Sequence, residues 1–351
     1  MTDQPPAIRR ERTTIEYDAA AAGVSVATVS RALRGLPNVA NSTRERVRAI
    51  AEELSYRADP AASRLATGRS QAIAVAVPVL NGWYFSNVVA GVEAVCAEAG
   101  FDTVVLGVSS LAQRDRLVQD VGHIHRRIDG IVLVDIALGV DAVEDFVERG
   151  LHVVTIGQDT GVCPSVGIDD VEVGRLATQH LIDLGHRRIA VVAGQPEDPL
   201  DFVVPHRRAH GYEAACHAAG IEIDPAWSTS GNFSIAGGFE SVSELLDLPD
   251  PPTAVFAMSD EMAFGAIQAA HEHKLTVPDD LSVVGVDDHD LAAVVDLTTV
   301  HQDVATHGAR AARLLLEQIV SGERSSTRID DEIRLVVRGT TSPPRLSHSL
   351  V

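Results

Sequence analysis

The sequence predicts an all-α head followed by a larger α/β body that is divided into two lobes. In residues 15–56 the apolar side chains follow short helical stripes separated by tight turns, and no run there is typical of a strand. Beyond residue 71, short apolar runs alternate with stretches of helical periodicity, which is the pattern of βαβ units. These runs are too numerous for one small sheet. We therefore expect two Rossmann-like parallel sheets, one in each lobe.

The length of 351 residues also exceeds that of one ordinary domain. We expect a disordered arm, a helical headpiece, a hinge helix with its linker, a two-lobe core and a loose tail, at residues 1–13, 14–58, 59–71, 72–344 and 345–351. Within the core, the first lobe is expected at about 72–159 and 300–330, and the second at about 160–298 and 331–341.

The head has the residue spacing of a helix-turn-helix motif. Gly23 separates two short apolar stripes at a point where the chain turns sharply, and a positive φ there suits glycine. The second helix is expected to begin near Ser25, whose hydroxyl can cap it. At 3.6 residues per turn, Val26, Ala27 and Arg31 then share one face of that helix.

The shared face has the chemistry of a DNA reader. Arg31 can recognise guanine through paired hydrogen bonds, while Val26 and Ala27 can contact thymine methyl groups. The polar side chains around them are placed for phosphates, which fix the register of binding without reading sequence; they are Ser25, Thr28, Ser30 and Arg34.

Two more helices are expected before the body begins. One fits residues 42–54 and is expected to be capped by Ser42 or Thr43. The other runs from Asp59, a capping residue, to Gly68, which ends it. About two turns of helix are too few to be stable alone in water, so the second segment should fold only when another element packs against it.

The apolar runs of the body predict buried parallel strands at residues 72–78, 103–106, 130–134, 153–156, 188–192, 254–257 and 282–286. Helical stripes lie between them, as at 88–99. The carboxyl ends of parallel strands meet at one edge of a sheet, which is where ligands of such folds bind. Polar residues that follow these strands are therefore candidates for ligand contacts.

Charge is distributed unevenly along the chain. The net charge is −20, yet residues 1–70 contain 11 Arg and 8 Asp or Glu, a charge of +3, which leaves −23 for the remainder. A basic head on an acidic body directs a polyanion to one end of the protein. Arginine also suits bidentate contacts with guanine and phosphate.

Other classes of protein are disfavoured. No apolar run of 18 or more residues is present and residues 1–12 are polar, so we expect a cytoplasmic, nucleoid-associated protein with no membrane contact. The three cysteines lie far apart, as expected for buried thiols in a reducing compartment. No nucleophile elbow or Walker loop is present and no GxGxxG opens the first βα unit, so we expect neither an enzyme nor a cofactor.

A metal site is also not expected. Four side chains provide an alternative ligand set, although pocket or surface polarity explains them better; they are His206, His210, Asp287 and Asp288.

Residues 14–70 resemble the headpiece of the lactose/galactose-repressor (LacI/GalR) family. The matches are Thr14, Ile15, Ala19, residues 22–25 and 28–31, residues 43–47, Leu54, Tyr56, residues 61–65 and residues 67–68. The resemblance implies that Leu65 of the hinge helix wedges into the DNA minor groove. One departure is Tyr17-Asp18, which stands in place of the Asp-Val pair of the family. A carboxylate thus occupies a position where an apolar residue packs.

The resemblance continues through the body to about residue 344, with marks at residues 77–78, 84–85, 166–169, 184–189, 208–212, 252–260, 278–288 and 297–302. It implies two lobes like those of periplasmic sugar-binding proteins, with the effector in the cleft between them. The implied effector contacts are Trp83, Tyr84, Phe85, Arg208, Phe233, Asp260, Asp287 and Gln302. Gly157 stands where several members carry a ligand-binding Asp, so the effector is expected to differ from a simple hexose.

The resemblance implies a homodimeric, effector-responsive repressor of a catabolic operon that binds pseudo-palindromic double-stranded operator DNA. A sugar, a sugar phosphate or a nucleoside remains open as the effector. Either induction or co-repression agrees with the sequence. The alternatives are an activator or global regulator of the same architecture and a solute-binding protein without regulatory action.

Overall fold

A computed structural model describes residues 15–33, 38–54, 70–195, 200 and 202–345. The chain divides into two compact units, which meet in sequence between Ser70 and Gln71. Arg34 and Leu65 lie outside the described residues, as do the predicted arm, the predicted hinge helix and nearly all of the predicted tail.

The first unit contains three described helices, Ile15–Ala22, Val26–Leu33 and Asn41–Glu53. Their shared core is made of small and β-branched side chains, namely Ala19, Ala22, Val29, Ala32 and Val47. Small residues allow the short helices to approach closely, which is how so few residues form a core.

The turn between the first two helices agrees with its predicted chemistry. Gly23 has a φ of +64°, a conformation that costs glycine little. Ser25 caps the second helix, since its hydroxyl accepts a hydrogen bond from the Thr28 amide at 3.2 Å. The predicted cap of the third helix is wrong. That helix begins at Asn41 after Ala40, which provides no side-chain cap, so Ser42 and Thr43 lie inside the first turn.

Asp18 lies in the core of this unit. Its side chain is fully buried, and neither carboxylate oxygen has a hydrogen-bond partner. Loss of hydration raises the pKa of this carboxyl group above its usual value. Asp18 lies within the first helix, Ile15–Ala22, rather than at its start.

The second unit is built on two six-stranded sheets. The strands of the first sheet are β1 (Ala72–Val77), β2 (Asp102–Gly107), β3 (Gly130–Val134), β4 (His152–Ile156), β5 (Ser165–Gly167) and β11 (Arg328–Asp330). They lie in the order β11-β5-β4-β3-β1-β2, and each pair of neighbouring strands is parallel.

The second sheet has the order β12-β10-β9-β8-β6-β7. It is parallel except for its edge strand β12, which runs antiparallel to β10. Its strands are β6 (Ile189–Ala193), β7 (Ser228–Ser230), β8 (Ala254–Ala257), β9 (Ser282–Asp287), β10 (Thr298–His301) and β12 (Arg334–Val336).

Helices cover the faces of both sheets. They are Trp83–Glu98, Leu111–Gln119, Val121–Ile124, Val140–Glu148, Asp170–Asp183, Val204–Ala218, Ile235–Leu246, Asp260–Glu272 and Val304–Ser321, with a 3₁₀ turn at Pro225–Trp227. Every residue of β1, β3, β8 and β9 is buried. This double coverage explains why these strands are continuously apolar rather than alternating. Within the described part of the chain, no helix combines the length and apolarity needed to cross a bilayer.

Two short strands, β5 and β10, place the lobe boundaries at residues other than those predicted. β5 pairs with β4 in the first sheet, so the first lobe extends past residue 159 to at least Gly167. β10 pairs with β9 in the second sheet, so residues 300 and 301 belong to the second lobe. Strands of three or four residues carry too little periodicity to show which sheet they join. Their hydrogen-bonding partners decide it.

Candidate functional site

A cavity of about 360 Å³ lies between the two lobes. Its wall includes residues that directly follow strands of both sheets: Pro78 after β1, Asp135 after β3 and Gly157 after β4, together with Asp287 at the end of β9. The size lies within the ordinary range for small-molecule sites, and the position at the carboxyl ends of strands is where such folds bind ligands.

Aromatic rings from both lobes line this cavity. Tyr84 and Phe85 of the first lobe meet edge to face with ring centroids 5.1 Å apart. Phe202 and Phe233 of the second lobe meet in the same way at 5.4 Å. The two pairs provide flat apolar surfaces that suit a sugar ring or a base. Phe202 was not among the residues predicted from sequence, because it follows no strand.

Arg208 provides the positive charge of the cavity. It lies in the Val204–Ala218 helix, is buried, and donates a hydrogen bond from Nε to Asp170 Oδ1 at 2.9 Å. It also donates to the carbonyl of Met258. Asp170 itself lines the cavity and was not predicted from sequence, since the strand before it, β5, is only three residues long. The pair leaves part of the guanidinium fork for a ligand.

Asp287 faces the same space from the end of β9. Gln302 Nε2 donates to its Oδ1 at 2.6 Å, and both residues line the cavity. Burial raises the pKa of Asp287 to about 7, an effect that the nearby Arg208 opposes. Gln302 thus orients the carboxylate of Asp287 at the wall of the cavity, where it can accept a ligand hydroxyl.

Asp135 adds a carboxyl group that the sequence did not single out. It follows β3 with a φ of +49°, lines the cavity, and is buried with no hydrogen-bond partner on Oδ1. Burial, reinforced by the charge of Asp170, raises its pKa to about 8, while Arg208 and a hydrogen bond from Tyr84 lower it. The group is therefore mostly protonated at neutral pH.

His307 borders the cavity from the Val304–Ser321 helix. The side chain is 1% exposed, neither ring nitrogen has a hydrogen-bond partner, and Nε2 lies 3.5 Å from Asp331 Oδ2. Asp331 lies between β11 and β12, where the chain passes from one sheet to the other. It also pairs with Arg310 at 2.9 Å. Burial lowers the pKa of His307, so the ring is neutral at pH 7.

Two predicted effector contacts do not line the cavity. Asp260 is fully buried and accepts hydrogen bonds from Thr299 Oγ1 at 2.6 Å and from the His289 amide at 2.7 Å. One of its oxygens thus holds strand β10 and the other holds the loop after β9. Trp83 donates to Asp290 at 3.2 Å and stacks on His289 with centroids 4.7 Å apart. Trp83 therefore connects the lobes beside the cavity. The other six predicted residues line it: Tyr84, Phe85, Arg208, Phe233, Asp287 and Gln302.

The helix Val26–Leu33 presents its predicted face to solvent. Val26 is 40% exposed, which is unusual for a valine, and Ala27 and Arg31 are exposed beside it. Val29 and Ala32 are buried on the opposite side. Ser25 is exposed at the start of this helix, and Thr28 and Ser30 are half-buried at its flanks.

The structure places the thiols in the interior and gives two of the four alternative metal ligands, Asp287 and Asp288, other hydrogen-bond partners. Cys96, Cys163 and Cys216 are buried and free, as predicted. Asp288 accepts a hydrogen bond from Arg338 at 2.6 Å and is engaged by His301. Across the residues that the structure describes, no group of three or more His, Cys, Asp or Glu side chains is arranged to hold a metal ion.

Comparison with known proteins agrees with both units. The model of bacterial regulatory proteins of the lacI family matches residues 14–59, and that of the periplasmic binding protein-like domain matches residues 178–341. The HTH-type transcriptional repressor CytR of Escherichia coli (strain K12) is 35% identical over 336 residues, which cover 93% of this chain and 96% of that protein.

Solved structures agree in fold along the same length. The lac repressor dimer bound to operator and the anti-inducer ONPF has a TM-score of 0.82 at 28% identity, covering 95% of this chain and all of that one. A complex of the transcriptional regulator CelR with cellobiose has a TM-score of 0.68 at 33% identity and covers 94% of this chain and 100% of that one. The chain belongs to the lacI family of bacterial regulatory proteins, which are DNA-binding regulators of transcription.

Proposed function

We propose that this protein is a transcriptional repressor of a catabolic operon, and that a small molecule bound in the cavity changes its affinity for operator DNA. The observation that carries the proposal is that one chain combines an exposed helix-turn-helix face with a polar, aromatic-lined cavity between two lobes. Neither the helix-turn-helix face nor the cavity by itself indicates a regulator. Together they do, because the ligand is recognised in one compact unit and the DNA-reading face lies in the other.

The DNA contacts follow from the exposed face. Arg31 reads a guanine in the major groove, and Val26 and Ala27 contact thymine methyl groups. Ser25, Thr28, Ser30 and Arg34 bind phosphates, while Leu65 of the hinge segment inserts into the minor groove at the operator centre. Two copies of the chain bind a pseudo-palindromic site, so the spacing of the half-sites reflects the twofold symmetry of the dimer.

The effector contacts follow from the cavity. Asp287, oriented by Gln302, accepts hydrogen bonds from ligand hydroxyls, and Arg208 donates to ligand oxygens. The aromatic pairs hold the ring of the ligand between the lobes. The relatives support a sugar effector, since one solved structure is a complex of CelR with cellobiose and another is a LacI family regulator of Enterococcus faecium with bound ribose.

Effector binding can change operator affinity only if the effector binds two conformations of the protein with different affinities. A ligand that contacts both lobes favours the arrangement in which they are closest, and this shifts the population of dimers able to bind the operator. Because such coupling is reciprocal, operator DNA must change effector affinity by the same factor. We assign no catalytic activity to the chain, since the relatives named above are regulators rather than enzymes.

The test begins with operator selection from randomised double-stranded DNA, followed by fluorescence anisotropy at several salt concentrations. Arg31→Ala should relax specificity at one base pair and weaken specific binding by about 1–3 kcal/mol. Arg149→Ala is the matched control, because Arg149 is an exposed arginine of the body that pairs with the exposed Asp145. Unchanged selectivity of Arg31→Ala would refute its role.

The direction of regulation is tested in the cell. Deletion of the gene should raise expression of the operon next to the selected operator, whereas a fall would identify an activator. Absence of any operator in the selection would instead favour a solute-binding protein without regulatory action.

A further inference from the structure

Asp135 occupies space that the neighbouring strand leaves empty. A Cβ atom added to Gly157 would lie 1.9 Å from Asp135 Oδ1, well inside the contact distance of the two atoms. Gly157 also has a φ of +85°, which side chains rarely adopt. The glycine at the end of β4 and the carboxyl group at the end of β3 are therefore complementary. The carboxyl group can lie where it does only because residue 157 has no side chain.

The same carboxyl group is in a position to bind a ligand. It lines the cavity, is 3% exposed, and Oδ1 has no hydrogen-bond partner in the protein. A buried polar atom without a partner is costly, and such atoms in native proteins point to a function. The left-handed backbone of Asp135 (φ +49°) is a second cost at the same residue. A hydrogen bond from a ligand would satisfy Oδ1.

The described wall of the cavity carries an excess of acidic groups. Four carboxyl groups line it, from Asp135, Asp170, Glu261 and Asp287. Arg208 is the one arginine among these described wall residues, and it is already paired with Asp170. His307, the remaining titratable base of that wall, is held neutral by burial. Gln195 and Phe202 are separated by the sequence PEDPLD, which contains no basic residue.

This balance of charge is unfavourable for an anionic ligand. A phosphate group near Arg208 would have to compete with Asp170 and would lie beside at least one other carboxyl group in a site of low polarity. Hydroxyl groups have no such difficulty, because each can donate to one of the carboxyl oxygens. The raised pKa of Asp135 and that of Asp287 also let these groups accept a neutral ligand without an uncompensated charge.

We propose that Asp135 is a specificity-determining contact for the effector, and that the cavity selects an uncharged, hydroxyl-rich ring compound and excludes its phosphate esters. The inference rests on the proposed function, since it concerns the same cavity. It narrows the effector to neutral sugars and nucleosides and removes sugar phosphates.

The experiment measures binding of named probes to the full chain by isothermal titration calorimetry. The neutral probes are ribose, glucose, cellobiose, adenosine and cytidine, and each monosaccharide or nucleoside is compared with its own monophosphate. At least one neutral probe should bind, and its phosphate ester should bind roughly tenfold or more weakly, because Arg208 is already paired with Asp170 and would not compensate the added charge. Comparison of the sugar probes with the nucleoside probes shows which of these two classes of compound the cavity binds.

Two substitutions at residue 135 test its contact. Asp135→Ala should weaken the bound neutral probe roughly tenfold, as expected for one lost hydrogen bond in a buried site. Asp135→Asn keeps size, a hydrogen-bonding group and the neutral charge of a protonated carboxyl group, so it should retain affinity for the neutral probe within a few-fold. Asp141→Asn is the control, since Asp141 is an exposed aspartate of the same lobe. Operator binding without ligand and the midpoint of thermal unfolding report whether each variant is folded.

The outcomes separate this inference from the proposed function. A phosphate ester that binds as well as its neutral parent overturns the selection of uncharged ligands, and so does binding of none of the neutral probes. Unchanged affinity of a folded Asp135→Ala variant overturns the contact. In each of these cases a protein that still binds a selected operator retains its proposed regulatory function. Absence of any bound operator would refute that function.

Discussion

Arg208 donates a hydrogen bond to Asp170 at 2.9 Å, and both side chains are almost fully buried at the wall of the cavity. The bond connects the Val204–Ala218 helix with the first residue of the Asp170–Asp183 helix. Desolvating both charges is costly, and the pairing together with the hydrogen bond to the Met258 carbonyl compensates for it. A ligand therefore meets a guanidinium whose position is fixed before binding.

Breaking this pair should affect stability and effector response together. Asp170→Ala leaves Arg208 as an uncompensated buried charge, and we expect a loss of about 3–5 kcal/mol in the free energy of unfolding. Urea denaturation followed by circular dichroism measures it. The control is Glu172→Ala, which breaks the solvent-exposed pair with Arg175 in the same helix and should change stability little. Equal effects of the two variants would contradict the importance of burial.

Glycines set the distance between the same two helices. A Cβ atom on Gly211 would lie 2.0 Å from the carbonyl oxygen of Val171, and one on Gly174 would lie 2.0 Å from that of Arg208. Gly211→Ala should therefore push the helices apart, cost about 1–3 kcal/mol by overpacking, and lower effector affinity by displacing Arg208. Gly139→Ala is the control, because a Cβ atom at Gly139 would meet no atom within 4 Å. Gly220 is unsuitable, since its positive φ would strain an alanine even though the space around it is open.

Thermal unfolding and probe titration of Gly211→Ala and Gly139→Ala measure both effects. A Gly211→Ala protein of unchanged stability would show that the helices can separate without cost.

The buried His307 should make stability depend on pH. Its pKa is lowered in the folded protein, so between the usual value of 6.5 and the folded value the unfolded chain binds more protons. Stability from this group is complete above pH 6.5 and is lost as the pH falls through that window. His307→Gln cannot gain a proton and should flatten the dependence. Urea midpoints measured between pH 5 and pH 7.5 check this, with the more exposed His271 as the site of the control substitution.

An unchanged slope in His307→Gln would show that other groups control the dependence. Four charged groups act on this ring. Asp331, Asp303 and Asp170 oppose the lowering of its pKa, whereas Arg310 adds to it.

Replacement of Asp18 should stabilise the head. The folded-state pKa of Asp18 is raised above 3.8, so the folded head binds more protons than the unfolded head in the window above pH 3.8, and its stability falls as the pH rises through that window. Asp18→Val removes an unsatisfied buried carboxylate and adds apolar packing, a gain of about 1 kcal/mol or more. Amide hydrogen exchange of residues 15–33 and 38–54 in the full chain measures it.

Glu45→Val is the control for Asp18→Val, because Glu45 is exposed on the third helix and its replacement should leave exchange rates unchanged. Faster exchange in Asp18→Val would mean that the carboxylate contributes a favourable interaction.

Much of the architecture followed from local patterns. The long buried strands were predicted within one or two residues, as for Gly130–Val134 and Ala254–Ala257, because an apolar run between helical stripes has few other structures open to it. The short strands β5, β7, β11 and β12 carry no such pattern, and β10 was noted only as part of the resemblance. Their placement depends on pairing with strands that are distant in sequence.

The site was predicted less completely than the fold. Asp287 and Arg208 line the cavity, whereas Asp260, which also follows a strand, accepts hydrogen bonds from Thr299 and the His289 amide. A position after a strand brings a residue to the correct edge of the sheet but does not determine which way its side chain turns. Asp135 shows the converse, since it lines the cavity without having been selected from sequence.

The sequence by itself determined that a basic helix-turn-helix head precedes an acidic two-lobe body, because periodicity and charge are properties of contiguous residues. Only the tertiary structure decided that Asp135 takes the space beside Gly157, that Asp170 neutralises Arg208 and that His307 approaches Asp331. Those relationships join residues from different strands and helices. Their energies arise from burial and close contact, which do not exist until the chain has folded.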